Sequence, residues 1–353
     1  MRSEKKKDEP SLIETLKEIE EQKGISKDII LDAIRESLLS ACRNEYGKAD
    51  NIRVMMDENT AEFSVYADKL VVEEVEDDSL EISVNDIRVK EGGYVLGETF
   101  PEKVVPKNFG RIVAQKAKQA VVQKIREEER KSTSSYYHSL ERDIITGIVQ
   151  RYNGGNISID LGRTDAVLTE SEQVPGEYFR PTDRIKLYIV EVKETPKGPK
   201  VVVSRKHKDL VKRLFEEVVS EVHDGTVEIM SISREAGSRT KIGVRSTDPN
   251  VDPVGACVGK NGDRVNAVVN ELRGEKIDII KWNDDPAVLI ENALSPAKVV
   301  SVDVDEEEKT ASIIVPDYQL SLAIGKDGQN ARLAAKLTNY KIDIKSESQA
   351  FGL

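Results

Sequence analysis

Two tetrapeptides in the last third of the chain combine residue types that bind phosphate groups. They are Gly259, Lys260, Asn261 and Gly262 in the first copy, and Gly325, Lys326, Asp327 and Gly328 in the second. Glycine has no side chain to keep a sugar–phosphate backbone away, and lysine supplies a mobile positive charge. The sequence after each tetrapeptide predicts a helix with a polar first turn, whose free amide groups would face the phosphate. Arg264, Gln329 and Asn330 lie in those first turns and are further candidates.

A glycine turn between two helices does not always bind a phosphate group. A nucleotide-binding P-loop needs G-x-x-x-x-G-K-[ST], but Val254 stands at its first glycine and Asn261 at its hydroxyl residue. A tight turn without a ligand explains one copy equally well, because glycine readily adopts the positive φ of such turns. The second copy keeps glycine, lysine, a polar residue and glycine in the same order, and this favours phosphate binding.

Both tetrapeptides belong to a duplicated unit. Gly325 follows Gly259 by 66 residues, and the sequence Lys-Ile-Asp-Ile recurs at 276 and 341. Around each tetrapeptide the periodicity predicts the order αββααβ, with one helix over 206–225 opening the first copy. We expect an apolar groove floor beside each turn, made by Val265 and Val268 in the first copy and by Ala331 and Ala334 in the second.

A basic segment precedes the first tetrapeptide. Residues 233–246 hold one acid, Glu235, and four cations, which are Arg234, Arg239, Lys241 and Arg245. The whole chain carries a net charge of −11, which argues against a general nucleic-acid coat, so binding must rest on local patches. We therefore expect the four cations to wall the groove. A solvated loop is the alternative.

The preceding part of the chain predicts two other folds. Five short β-type runs over 142–206 are separated by turn residues, and this spacing predicts a small closed barrel. Tyr152, Phe179 and Tyr188 are candidates there for stacking on bases, and Tyr188 is out of phase with its apolar neighbours, so it should point outward. A polar break at 132–135 separates the barrel from an α+β domain. That domain has helices over 11–47, a hairpin turning at 57–60 and a long cationic helix at its end.

Composition excludes several classes of protein. The charged N-terminus is not a signal peptide, and no run of about 18 apolar residues could span a membrane, so we expect a cytoplasmic protein. Cys42 and Cys257 share no metal-ligand spacing and are predicted to be small buried hydrophobes. His138, His207 and His223 form no catalytic motif. We expect no metal, no cofactor and no enzymatic activity.

Each glycine turn resembles the G-x-x-G loop of KH domains, which bind a single strand of about four nucleotides. The αββααβ order resembles the prokaryotic type of that fold, and the barrel resembles the S1 domain, an OB-type RNA-binding module. Together they imply a multidomain α/β protein: an α+β N-terminal domain over 1–132, a five-stranded S1 barrel over 137–206, and tandem KH domains over 207–283 and 284–348.

The domain order and several long motifs resemble the NusA family of bacterial transcription elongation factors. The motifs are KGISKDIILDAI, NFGRIVAQKAKQ, EAGSRTKIGVRSTDPNVDPVGACVGKNG, NELRGEKIDIIKW, LSPAKVVSVDVDEEEK and LSLAIGKDGQNARLAAKLT. The resemblance covers nearly the whole chain. It implies binding to DNA-dependent RNA polymerase, near the β-subunit flap and the RNA exit channel, and to nascent RNA and other Nus factors.

The same resemblance implies a monomer that modulates hairpin-dependent pausing, intrinsic termination and antitermination. A family motif spans 109–119 and makes Arg111 and Lys118 candidates for contacts with polymerase or the exiting hairpin, although a solvated helix face explains them as well. The alternative functions are an RNA-processing protein and a translation-associated RNA-binding scaffold. A processing enzyme would need a metal-binding carboxylate cluster or a nucleophile–base pair, and the sequence indicates neither.

Overall fold

A computed structural model describes residues 17–18, 20–21, 26–46, 51–57, 63–104 and 109–352. For residues 41, 43–46, 109–114 and 117 it describes the backbone alone. The chain divides into two compact units, Met1–Ser132 and Thr133–Leu353. Within the described ranges, no helix is long and apolar enough to cross a membrane.

The N-terminal unit packs a helix against a four-stranded sheet. Helix α1 (Lys27–Tyr46) buries an apolar stripe of Ile30, Ile34 and Leu38, and Cys42 is buried beside it as predicted. The other elements are β1 (Ile52–Met56), β2 (Phe63–Val72), β3 (Glu81–Ser83), helix α2 (Ile87–Glu91) and β4 (Thr99–Val104). Strand β2 pairs antiparallel with β1 and β4 and parallel with β3. Much of the helix predicted before residue 26, and most of the predicted turn at 57–60, lies outside the described residues.

Helix α3 runs from Phe109 to His138, so the predicted break at 132–135 is wrong. Serine favours breaks because its hydroxyl competes for backbone hydrogen bonds. Contacts with the barrel outweigh that tendency here: Ser134 Oγ donates to Glu194, and the Tyr137 ring is completely buried. The Tyr137 hydroxyl donates to the carbonyl of Leu161 at 3.0 Å.

The five predicted strands after α3 form a nearly closed antiparallel barrel. They are β5 (Ile144–Asn153), β6 (Asn156–Asp160), β7 (Asp165–Leu168), β8 (Arg184–Thr195) and β9 (Gly198–Ser204), in the order β7-β6-β5-β8-β9. Alternate residues such as Ile157, Ile159, Leu187 and Ile189 fill the interior. Tyr188 does lie on the other face of β8, but it is buried, because its ring stacks on His207 with centroids 4.5 Å apart. The predicted direction of Tyr188, away from the barrel interior, is confirmed, but the first repeat covers its ring, so the ring is not exposed for stacking on a base.

Two αββααβ repeats follow, as predicted. The first repeat contains α4 (Lys208–Val218), α5 (Ser220–His223), β10 (Val227–Glu235), β11 (Arg239–Ser246), α6 (Pro253–Val258), α7 (Asp263–Glu271) and β12 (Lys276–Lys281). The second contains α8 (Pro286–Ala293), β13 (Ser301–Asp305), β14 (Thr310–Val315), α9 (Leu320–Ile324), α10 (Gln329–Thr338) and β15 (Lys341–Ser346), and α11 (Glu347–Phe351) comes after it.

Each repeat forms one three-stranded sheet with the same topology. The first two strands are antiparallel, and the third is parallel to the second. The single helix predicted over 206–225 is two helices, because Val219 adopts an extended backbone and is completely buried. Cys257 is buried in the first repeat, as predicted.

Candidate nucleic-acid interface

The two Gly-Lys-x-Gly turns share one backbone conformation. We call Gly259–Gly262 the first turn and Gly325–Gly328 the second turn. The opening glycines have φ and ψ of 77° and 179° in the first turn and 77° and 171° in the second. The third residues, Asn261 and Asp327, lie in the left-handed region with φ of 57° and 53°. Asn and Asp enter that region at the least cost among residues with side chains, so the same backbone explains both residue types.

The two glycines of each turn are needed for different reasons. A Cβ atom on Gly259 would lie 2.7 Å from Cγ of Arg264, and one on Gly325 would lie 2.8 Å from the amide nitrogen of Asn330. The opening glycine therefore lets the following helix pack against the turn. A Cβ atom on Gly262 would come no closer than 3.2 Å to another residue, so the closing glycine serves its positive φ of 78°.

The central residues of both turns face solvent. Lys260, Asn261, Lys326 and Asp327 are exposed. Among the described residues, neither turn lysine lies within ion-pair distance of a carboxylate. Helices α7 and α10 begin directly behind the turns, and their first amide groups are already bonded. Those of Asp263 and Gln329 donate to the carbonyls of Lys260 and Lys326, and that of Arg264 donates to the Asp263 carboxylate at 2.9 Å. The phosphate-binding feature that each turn offers is therefore its exposed lysine, and not a set of free helix amides.

Arg234 and Lys241 were predicted to wall the groove, and the structure contradicts both placements. The side chain of Arg234 is 2% exposed and forms a bidentate pair with Glu275 at 2.9 Å. It also donates to the carbonyls of Arg205 and His207 at 2.9 and 2.7 Å. The side chain of Lys241 is completely buried, 3.1 Å from Asp278. A cation with no exposed surface cannot contact RNA, so both belong to the protein interior.

The remaining two cations of the basic segment keep some contact with solvent. Arg239 is about a quarter exposed and holds Asp278 through hydrogen bonds of 2.7 and 2.9 Å. Burial raises the pKa of Asp278, but the hydrogen bonds from Arg239 and Lys241 outweigh it, and the net pKa is lowered. Arg245 is 42% exposed and pairs with Glu228 at 3.1 Å. These two residues stay candidates for the groove wall.

Several other predicted site residues brace the turns instead of facing solvent. Asn330 is buried, and its Nδ2 donates to the carbonyls of Leu294 and Ala323 at 3.0 and 3.1 Å. The Asn330 side chain therefore does not face solvent as a direct RNA ligand would, and it belongs to the interior of the second repeat. Arg264 is half-buried and donates from one nitrogen to Glu221 at 2.8 Å and to the carbonyl of Ala256 at 2.7 Å.

Of the four residues predicted to form the groove floor, two are buried in the core and two are half-buried. Val268 and Ala334 are core residues, 1% and 0% exposed. They point into their repeats because an α-helix presents one face to its own sheet, and both lie on that face. Val265 and Ala331 are half-buried and stay available to line a groove.

The two repeats pack directly on each other. Ser231 Oγ in β10 donates to the carbonyl of Leu337 in α10 at 2.9 Å, and Lys241 Nζ donates to the carbonyl of Ser295 at 2.9 Å. These contacts fix the position of one repeat, and therefore of its turn, relative to the other. Gln329, a predicted RNA ligand, also belongs to this interface, because its Nε2 donates to Glu235 at 2.8 Å and to Ser238 at 2.7 Å.

The barrel joins the first repeat through a buried arginine that the sequence did not reveal. The Arg205 side chain is 1% exposed and pairs with Glu177 and with Glu271, the latter at 3.1 Å. It also donates to the carbonyl of Lys186 at 2.8 Å. One signal in the sequence could have indicated this pairing: Arg205 follows directly after the apolar strand β9. An arginine next to buried residues is rarely buried itself unless it is paired.

The barrel aromatics differ in their access to bases. Tyr152 is 48% exposed, with its hydroxyl donating to the carbonyl of Phe179 at 3.0 Å. Phe179 is buried, so it cannot stack on a base without rearrangement. Tyr178 was not predicted, yet it is 85% exposed and is the better stacking candidate.

The cationic helix α3 of the N-terminal unit carries a shallow concavity of about 680 Å³. Its lining includes Lys118, Arg126 and Arg130, and Lys118 is exposed. The side chain of Arg111 lies outside the described residues. In the described part of the chain, no group of three or more His, Cys, Asp or Glu side chains is arranged to hold a metal ion.

Comparison with known proteins assigns most of the chain to one family. The family model of the NusA N-terminal domain matches residues 11–131, that of the NusA-like first KH domain matches 205–282, and that of the NusA-like second KH domain matches 286–351. The transcription termination/antitermination protein NusA of Bacillus subtilis is 54% identical over 96% of this chain and 91% of its own length. Proteins of the same name from Halalkalibacterium halodurans and Thermus thermophilus are 53% and 39% identical, over 96% and 94% of this chain and 88% and 89% of their own.

Proposed function

The chain belongs to the NusA family, and we therefore propose a transcription factor that holds RNA polymerase and nascent single-stranded RNA together. Its relatives are named for transcription termination and antitermination. We propose both processes for this chain, together with hairpin-dependent pausing. The observation that carries the RNA half of the proposal is the pair of turns with matching backbones and solvent-facing lysines, Lys260 and Lys326.

Attachment of the factor to polymerase explains how individually weak RNA contacts are enough for binding. Once the N-terminal unit is bound to polymerase, the two turns meet the emerging RNA at a high effective concentration. Cations close to a forming RNA stem offset the repulsion between its phosphates and so favour the hairpin. This effect needs no chemical step, and we propose a scaffold without enzymatic activity.

The N-terminal unit is proposed to bind polymerase near the β-subunit flap and the RNA exit channel. Support comes from the match to the NusA N-terminal domain and from the exposed cations that line the α3 concavity, among them Lys118. We propose that the factor acts as a monomer in the cytoplasm and joins other Nus factors during antitermination.

A pausing assay with purified RNA polymerase tests the proposal. On a template that encodes a hairpin pause, the wild-type chain should lengthen the pause. The double variant Lys260→Ala/Lys326→Ala should lose most of that effect, and in gel-shift titrations its salt slope should fall by about 0.7 for each lysine removed. Lys208→Ala removes the same charge from an exposed position of α4 and serves as the control. A wild-type chain that leaves pause duration unchanged contradicts the proposed function.

A further inference from the structure

Glu235 ends β10 of the first repeat, yet its carboxylate binds two residues that follow the second turn. One oxygen accepts from Nε of Arg332 at 2.7 Å, and the other accepts from Nε2 of Gln329 at 2.8 Å. Glu235 is only 24% exposed, and hydrogen bonding by Arg332 lowers its pKa despite partial burial. It therefore stays ionised and keeps its two partners at neutral pH.

The contact reaches the second turn itself through Arg332. While Nε of Arg332 binds Glu235, Nη1 of the same guanidinium donates to the carbonyl of Asp327 at 2.9 Å. Asp327 is the residue in the left-handed conformation, with φ of 53°. Glu235 of the first repeat thus fixes the guanidinium of Arg332. That guanidinium in turn holds the carbonyl of Asp327, the residue of the second turn with the least favourable backbone conformation.

In the first repeat, the arginine that follows the turn makes its contacts within its own repeat and on the helix before the turn. Arg264 binds a carboxylate, Glu221, and a backbone carbonyl, that of Ala256. By the 66-residue spacing, Arg264 corresponds to Asn330, and Arg332 corresponds to Asn266. The two arginines therefore occupy different positions of the repeat. Arg264 makes its contacts within the first repeat, whereas the arginine that holds the Asp327 carbonyl in the second turn also binds across the interface between repeats.

We propose that Glu235 is a positioning residue for the second turn: docking of the first repeat's β10–β11 hairpin sets the conformation of Lys326–Gly328 and thereby its grip on phosphate. This inference rests on the proposed RNA binding of the turns. A further contact of the hairpin also holds the residues that follow the second turn: Nε2 of Gln329 donates to Oγ of Ser238 at 2.7 Å.

Hydrogen exchange on the full-length chain measures the positioning without RNA. In Glu235→Gln, the amides of the second turn should exchange faster, and those of the first turn should not change. In Glu221→Gln the pattern should reverse. Glu228→Gln is the matched charge control, because Glu228 lies in the same strand and pairs with Arg245 at the surface. Equal exchange of the second turn in Glu235→Gln and Glu228→Gln overturns the inference.

RNA binding supplies the second readout, in a Lys260→Ala background that weakens the first turn. The probe is a fluorescent single-stranded RNA of about five nucleotides. Relative to Glu228→Gln, Glu235→Gln should bind about two- to fivefold more weakly, the limit for an ion pair of this exposure. Equal affinity for the two variants also overturns the inference. If Lys326→Ala has no effect on binding, the proposed RNA site fails instead, and the exchange result still decides the role of Glu235.

Discussion

The Arg234→Met substitution distinguishes a buried structural role for this residue from RNA binding. Methionine keeps a long apolar stem but removes the bidentate pair with Glu275 and the bonds to the carbonyls of Arg205 and His207. Glu275 is fully buried and would keep only the hydroxyl of Thr240 at 2.6 Å and the amide of Gly237 at 2.8 Å.

The expected loss of unfolding free energy follows from the Glu275 carboxylate, which keeps its charge after Arg234 is removed. Removing one partner of a buried ion pair costs about 3–5 kcal/mol, because the other charge stays desolvated. Two hydrogen bonds remain on Glu275, so we expect the lower end, about 3 kcal/mol of unfolding free energy. Arg234→Met/Glu275→Gln removes the orphaned charge and should recover about half of that loss.

Urea unfolding followed by tryptophan fluorescence measures the loss in the relevant repeat. Trp282 is the only tryptophan of the chain, and its amide donates to the carbonyl of Val244 at 2.8 Å, so its signal reports on the first repeat. Arg245→Met, at an exposed pair, is the control and should cost less than about 1 kcal/mol. If Arg234→Met is as stable as this control but binds RNA poorly, Arg234 faces RNA and its buried structural role is refuted.

Three further predictions concern the two turns and Asp278, a half-buried carboxylate in β12. Gly259→Ala should destabilise the first repeat by about 1–3 kcal/mol, more than Gly262→Ala, because only the former clashes with a neighbouring side chain; urea midpoints compare the two. Asp327→Asn should tighten binding of single-stranded RNA about two- to fivefold at low salt and by less at high salt, measured by fluorescence anisotropy, and an equal gain at both salt concentrations would contradict a charge effect. The lowered pKa of Asp278 stabilises the first repeat above the unfolded value of 3.8, and that contribution is lost as the pH falls through the lower folded pKa. Urea titrations at several acidic pH values should therefore show a shallower pH dependence for Asp278→Asn than for the wild type.

Local pattern was sufficient to predict the fold of the second unit. Five alternating runs with turn residues between them predicted the barrel, and the recurring spacing of the glycine turns predicted two αββααβ repeats. Such features depend on residues close in sequence, where periodicity and turn chemistry act directly. The same locality explains the error at 132–135, where the serines indicated a break and distant contacts of Ser134 and Tyr137 keep the helix intact.

Residue type within each tetrapeptide was enough to predict a turn with positive φ, because glycine, asparagine and aspartate enter the left-handed region at the least cost. Which cations face solvent depends instead on tertiary packing. Arg234 finds Glu275 41 residues away, Lys241 finds the carbonyl of Ser295 54 residues away, and Arg332 finds Glu235 97 residues away. No local pattern reveals such partners, because a charge becomes buried only where the packing of distant elements brings a group of opposite polarity to it.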